Sequence, residues 1–141
     1  REDNTGVEFS HNNSVKITVG DSKEGWVQSL DYFFSFINSS EYRNLNTIII
    51  NYNNVRPKGE VLKTFGGTAS GHASMKNMFT KIDLVIKKRG AIEGKDRFKL
   101  KPIDCLDIAN IIGENVVVGG KLSYASNDKK NSFNSWKLLI A

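Results

Sequence analysis

The spacing of apolar and polar positions predicts short strands alternating with amphipathic helices. Val15-Lys16-Ile17-Thr18-Val19 alternates apolar and polar residues, most of them β-branched, and predicts a half-buried strand ending at Gly20. A helix start follows. Asp21 or Ser22 can cap the free backbone amides, and Glu24, three residues after Asp21, can complete a capping box. Trp26, Val27, Leu30, Phe33, Phe34 and Ile37 then recur at helical spacing and predict one wide core-facing stripe. Thr47-Ile48-Ile49-Ile50 is a continuous β-branched run, the pattern of a parallel strand covered on both faces.

Beyond a turn at Val55-Arg56-Pro57-Lys58-Gly59 and a loop at Gly66-Gly67-Thr68-Ala69-Ser70-Gly71, a second helix presents Met75, Met78, Phe79, Ile82, Val85 and Ile86. Lys87-Lys88-Arg89 falls in its predicted last turn, with Gly90 as the C-cap. The charged stretch from Ala91 to Lys101 carries little pattern, with Phe98 and Leu100 as its possible anchors. Pro102 opens a third helix whose apolar positions are Leu106, Ile108, Ile111, Ile112 and Val116, and Gly119-Gly120 stops it. After a short Leu122 to Ala125 segment, Asn127 or Asp128 can cap a terminal helix presenting Phe133, Trp136 and Leu139 or Ile140. The fold class is α/β. Two or three strands cannot make a covered sheet with protected edges, so neighbours from a longer chain or a partner are expected.

Composition bounds the picture without changing it. The 141 residues, 39% of them apolar, suit one modest domain or a piece of a larger one. Twenty Lys and Arg against 15 Asp and Glu leave a net charge of +5, which permits a phosphate-bearing ligand without demanding a nucleic acid polymer. No apolar run approaches the ~20 residues of a membrane helix and the first residues lack a signal-peptide core, so a cytoplasmic location and no membrane partner are expected. Asn12-Asn13-Ser14 and Asn38-Ser39-Ser40 match the glycosylation pattern only as chance does in an Asn-rich chain. The single cysteine, Cys105, excludes a disulfide, a thiolate zinc cage or a dithiol redox couple made within these residues.

The candidate chemistry gathers around the glycine loop. Gly66 to Gly71 fits neither G-x-x-x-x-G-K-[ST] nor G-x-G-x-x-G, since His72 and Ala73 follow it. It remains a hydroxyl-bearing loop opening a helix, with Arg56 and Lys63 upstream, a combination that suits an anionic ligand; a surface connection with incidental charges is the alternative. Asp104 and Asp107 lie at i, i+3 near Glu114, but without a nearby histidine they fit capping and solvation better than a metal pair. His11 and His72 have no i, i+4 partner, and Cys105 fits a packed side chain better than a nucleophile. No metal site and no catalytic residue is assigned.

Four motifs, taken in order, resemble a known family. Asp21-Ser22-Lys23-Glu24-Gly25-Trp26, then Val55 to Gly59, then Gly66 to Gly71, then Asp104-x-x-Asp107-Ile108-x-Asn110-x-Ile112-Gly113-x-x-Val116-Val117-x-Gly119-Gly120 are similar to the adenosylcobalamin-dependent (class II) ribonucleotide reductases. The tail from Ser126-Asn127-Asp128 to Lys137 also resembles the acidic turn and helix that follow in that family. The resemblance implies that residues 1–141 are a single segment of the ten-stranded α/β barrel of the catalytic subunit, with effector-site loops near 56–71 and 119–123. It implies an oxidoreductase that reduces ribonucleotides through a thiyl radical, with adenosylcobalamin as cofactor and a thioredoxin-like protein as reductant. A deoxynucleoside triphosphate effector would be held by Arg56, Lys63, Gly66, Gly67, Thr68 and Ser70. Gly119 and Gly120 would begin the loop between effector and substrate.

Three departures accompany the matches. Cys105 cannot supply the family's several cysteines and falls where none is catalytic, so these residues by themselves cannot complete the reaction. After Gly120 the family continues Val-Arg-Arg, whereas Lys121-Leu122-Ser123 comes at once; either the second loop is short or residues are missing there, and the second explanation is preferred. His72 stands where the family often has proline. The runner-up is a non-catalytic nucleotide-binding module derived from the reductase fold.

Overall fold

A computed structural model describes residues 2–56, 71–117 and 137–140. They belong to two compact units, one of residues 1–56 with 136–141 and one of residues 57–135.

The first unit is built on a sheet of order β1-β2-β3-β4. β1 (Gly6–Ser10) and β2 (Ser14–Thr18) form an antiparallel hairpin, with Gly6 opposite Thr18 and Ser10 opposite Ser14. Its three-residue connection ends on Asn13 at φ 61°, the left-handed conformation that asparagine tolerates and such loops use. No strand was expected at β1, although Val7 and Phe9 alternate there with Glu8 and Ser10. This edge strand has only Val7 and Phe9 as large apolar residues and is exposed along most of its length.

α1 (Lys23–Asn38), followed by a 3-10 turn (Ser40–Tyr42), carries the chain over to β3 (Thr47–Asn51). β3 pairs in parallel with β2, Val15 opposite Ile48 and Ile17 opposite Ile50. A parallel pair cannot be joined by a tight turn, and α1 is the required crossover. Val15, Ile17, Ile48 and Ile50 are buried on one face of the sheet, and α1, which contacts β2, adds Phe33 and Phe36 to the core. Each such side chain contributes about 1.5–3 kcal/mol by leaving water. The expected parallel strand is present, although its cover is uneven, since Ile49 between the two buried isoleucines is half-exposed.

Two details of α1 differ from expectation. Ser22 is the N-cap and accepts from the Gly25 N–H, which puts Gly25 at the third helical position, where no side chain can close a capping box. The buried stripe is Gly25, Ser29, Phe33 and Phe36, whereas Val27 is 66% exposed. Small residues at 25 and 29 let the helix approach closely, and the stripe rotates toward them. A Cβ on Gly25 would lie 2.6 Å from the Asp3 carbonyl oxygen.

β4 (Lys137–Ile140) is a strand, parallel to β3, with Leu138 opposite Ile48 and Ile140 opposite Ile50. This overturns the terminal helix expected through Leu139 and Ile140. A short apolar run has no periodicity that separates strand from helix, and the open edge of β3 decides the matter. Phe133 and Trp136 lie outside the described residues.

In the second unit α2 (Ala73–Glu93) and α3 (Pro102–Val117) pack on one another. Met75, Met78, Phe79, Ile82 and Ile86 are buried as their spacing predicts. Gly90 is not the cap. The helix runs on to Glu93 and ends at Gly94, whose φ of 66° suits glycine. Gly90 serves packing instead, since a Cβ there would lie 2.7 Å from the Phe98 ring. α3 starts at Pro102, whose missing N–H costs nothing in the first turn. Its buried positions are Asp104, Ile108 and Asn115, one helical row, so Leu106 falls on the other side and is 56% exposed.

Gly119-Gly120-Lys121 is continuous in the 141-residue chain, which removes the reading that residues are missing there. Among the described residues no helix is long and apolar enough to cross a membrane.

The Gly90–Phe98 contact makes a signed prediction. Gly90→Ala gains up to about 1 kcal/mol of helix propensity but overpacks the ring by about 1–3 kcal/mol, a net loss. In a Phe98→Ala background the same change becomes stabilising. Denaturant unfolding of the four proteins checks the reversal of sign.

Candidate functional site

Parallel pairing brings the residues just past β2 and those just past β3 to one edge of the sheet. The Val19 N–H donates to the Asn51 carbonyl at 2.9 Å, closing the last rung. Past it, the turn from Gly20 to Ser22 is seated by the N-terminal arm. The Asp21 N–H donates to the Glu2 carbonyl at 2.9 Å, and Ser22 Oγ donates to the Asp3 carbonyl at 2.6 Å. Buried Thr5 ties both sides together, donating through Oγ1 to the Gly25 carbonyl at 2.6 Å and accepting from the Gly20 N–H at 3.0 Å.

This scaffold fixes the Asp21 carboxylate, whose partner is Arg56. Arg56 Nε donates to Asp21 Oδ2 at 2.8 Å, and the Arg56 backbone N–H donates to Oδ1 at 3.2 Å. The Asp21 side chain is 7% exposed and that of Arg56 27%. Among the described residues no hydrogen bond engages the Arg56 Nη groups, and the pairing runs through Nε and the backbone N–H. Arg56 stands just past the carboxyl end of β3. Tyr52, between β3 and Arg56, is buried, and burial pushes its hydroxyl well above the ordinary range, keeping it protonated.

Of the residues expected at an anion site, Arg56 alone is among the described residues, where it pairs with Asp21. Lys63, Gly66, Gly67, Thr68, Ser70, Gly119 and Gly120 lie outside the described residues. Asp21 was legible only as a cap. Its pairing spans 35 positions, and no local spacing announces a contact of that range.

The acids of α3 separate rather than assemble. Asp104 is buried, while Asp107 and Glu114 are exposed. Arg89 grips Asp104 with both ends of its fork, Nε to Oδ2 at 2.7 Å and Nη2 to Oδ1 at 3.3 Å, and Oδ2 also accepts the Lys101 N–H at 2.8 Å. The Arg89 hydrogen bond holds the Asp104 carboxyl below the usual carboxylate range. Asp104 therefore caps from the third helical position and locks α3 to α2. One turn back on α2, Lys87 and Asp83 pair at 2.9 Å with little exposure; burial pushes the Asp83 carboxyl up and Lys87 opposes it. No group of three or more His, Cys, Asp or Glu able to hold a metal occurs among the described residues. Cys105 is exposed on α3, which corrects its reading as a packed side chain.

Comparison with known proteins places these features in a family. The family model for "B12-dependent ribonucleotide reductase, insertion domain" matches residues 2–86. An adenosylcobalamin-dependent ribonucleoside-triphosphate reductase of Lactobacillus acidophilus is 32% identical over 130 residues, covering 86% of this chain and 16% of that protein. Its namesake in Lactobacillus helveticus is 32% identical over 139 residues, 89% of this chain and 18% of that protein. The one in Lactobacillus leichmannii is 29% identical over 127 residues, 84% and 16% respectively. The chain thus spans less than a fifth of these relatives. No solved structure matches.

Two measurements check the ion pairs. Asp21→Ala removes a buried acceptor from a charged donor and lowers unfolding free energy by about 1–3 kcal/mol in urea. Asp104 has a lowered folded-state pKa, so its stabilisation is present above the unfolded carboxylate value near pH ~4 and is lost as pH falls through the folded value. Melting temperatures of the wild type and Asp104→Asn therefore differ at neutral pH and converge in strong acid. Parallel curves throughout would refute the linkage.

Proposed function

The chain belongs to the B12-dependent ribonucleotide reductases through their insertion domain, and on that premise we propose that it is part of an enzyme that converts ribonucleotides to deoxyribonucleotides by thiyl-radical chemistry. In this reading the segment carries the loops through which a deoxynucleoside triphosphate effector sets specificity. Arg56, Lys63, Gly66, Gly67, Thr68 and Ser70 bind the effector, and Gly119 and Gly120 begin the loop that communicates with the ribonucleotide substrate. The observation that carries the reading is Arg56. It stands past the carboxyl end of β3, where the chain enters the 56–71 segment, with its Nη donors uncommitted among the described residues.

The local chemistry derives from that placement. Asp21 orients the guanidinium and offsets part of its charge, so that the fork is pre-formed before a phosphate arrives and loses less rotamer freedom on binding. Backbone N–H groups of a glycine-rich loop suit the remaining phosphate oxygens. Coupling between effector and substrate requires a loop with alternative arrangements that each ligand stabilises differently, and glycines at 119 and 120 make such arrangements accessible. The three adjacent parallel strands β2, β3 and β4 fit a part of the family's ten-stranded α/β barrel.

Adenosylcobalamin would supply the radical in the whole enzyme, and a thioredoxin-like protein the electrons. Cys105 is the sole cysteine of the sequence, so these residues hold no cysteine redox pair. No step of the radical chemistry is placed on this chain. That single cysteine also fits the second reading, a non-catalytic nucleotide-binding module. Further cysteines in the complete reading frame distinguish the two.

In the full-length protein, Arg56→Ala weakens binding of dATP or dTTP by about 1–3 kcal/mol, the loss of one charge-assisted contact, while the circular dichroism spectrum is retained. Isothermal titration calorimetry provides the test. Unchanged affinity in a folded variant would remove Arg56 from the site.

A further inference from the structure

Every residue from Glu2 to Thr5 bonds to the stretch between Gly20 and Gln28. Besides the bonds at Asp21 and Ser22, the Thr5 N–H donates to Gln28 Oε1 at 2.8 Å, and Gln28 Nε2 donates to Asn4 Oδ1 at 3.2 Å. The seat is also shaped for this arm. A Cβ on Gly20 would collide with the Asp3 carbonyl, and one on Gly25 would lie 2.6 Å from the same oxygen. Neither glycine has a positive φ, so both serve for space rather than for conformation.

Thr5 is the centre of this arrangement. It is buried, and its one hydroxyl accepts from the Gly20 N–H at 3.0 Å and donates to the Gly25 carbonyl at 2.6 Å. Those two groups bracket Asp21 and Ser22. The Val19–Asn51 rung lies before Asp21, so its carboxylate depends on the turn for its position. That carboxylate engages Arg56 at both Nε and the backbone N–H, and a displaced turn therefore displaces the arginine.

We propose that Thr5 is a positioning residue of the Arg56 site: its hydroxyl sets the affinity for a phosphate-bearing ligand through the turn, Asp21 and the guanidinium. This rests on the reading of Arg56 as an effector-binding residue. With the turn loosened, the guanidinium must be ordered when the ligand arrives, and binding weakens.

Calorimetric titration of the full-length protein with dATP or dTTP tests this in a double-mutant cycle. Thr5→Val keeps the side-chain shape without the hydroxyl and weakens binding about tenfold, the scale of one coupled contact. Thr5→Ser restores the hydroxyl and binds like the wild type. In an Arg56→Ala background Thr5→Val causes no further loss. Gln28→Ala loosens the arm without touching Thr5 Oγ1; it weakens binding several-fold, again only when Arg56 is present, and serves if Thr5→Val does not fold. Wild-type affinity in folded Thr5→Val or Gln28→Ala, beside a weakened Arg56→Ala, overturns the proposal and leaves the effector reading standing. Equal losses with and without Arg56 also overturn it, because Thr5 then acts through the fold at large. Unchanged affinity in Arg56→Ala overturns the effector reading and this proposal with it.

Discussion

The parallel pairing of β2 with β3 is the constraint on which the rest of the first unit depends. A parallel pair needs a crossover, so α1 must leave β2, turn and return the chain to the same end. The register that sets Val15 opposite Ile48 and Ile17 opposite Ile50 puts the buried side chains on one face. It also brings Asp21, just past β2, and Arg56, just past β3, to one edge. Their ion pair is a consequence of the register. A one-residue slip would turn the isoleucines outward and part the pair.

The turn after β2 could not hold Asp21 unaided. Thr5, Asp3 and Glu2 supply acceptors and a donor to backbone and hydroxyl groups at the start of α1, so an arm with little hydrophobic content acts through hydrogen bonds. Most of these groups are backbone, whose polar atoms must be satisfied when buried whatever the sequence. Gly25 then allows the arm and the helix to approach closely. Arg89 has a comparable role in the second unit. One guanidinium locks the first turn of α3, occupies Asp104 and lies beside Glu93.

Much of the secondary structure was legible from periodicity. β2, the course of α1, β3, the buried row of α2 and the start of α3 all follow from spacing and from turn residues. The failures are physical rather than accidental. β1 is an exposed five-residue edge in which Val7 and Phe9 alternate with polar neighbours over only one repeat, although Phe9 packs on Phe36 and Tyr42. The run at 138–140 is too short for a period, and its state was set by the free edge of β3. Gly90 reads as a cap in the sequence because close packing and helix termination favour the same residue. The buried stripe of α1 is misplaced for a related reason, since hydrophobicity cannot see that Gly25 and Ser29 mark the face of closest approach.

The candidate site divides along the same line. Sequence alone determined which residue types stand at which positions: an arginine just past a parallel strand, a glycine-rich loop before a helix, one cysteine, and four motifs in the order that resembles the class II reductases. Local propensity and covalent order carry that information, and matching family motifs extends it. Tertiary structure decided that Arg56 shares its fork with Asp21, that Arg89 claims Asp104, and that Phe98 packs against Gly90. Each of these joins residues through folding rather than through spacing. The partner of a charge depends on which buried acceptor the chain brings within about 3 Å, and no periodicity encodes that distance.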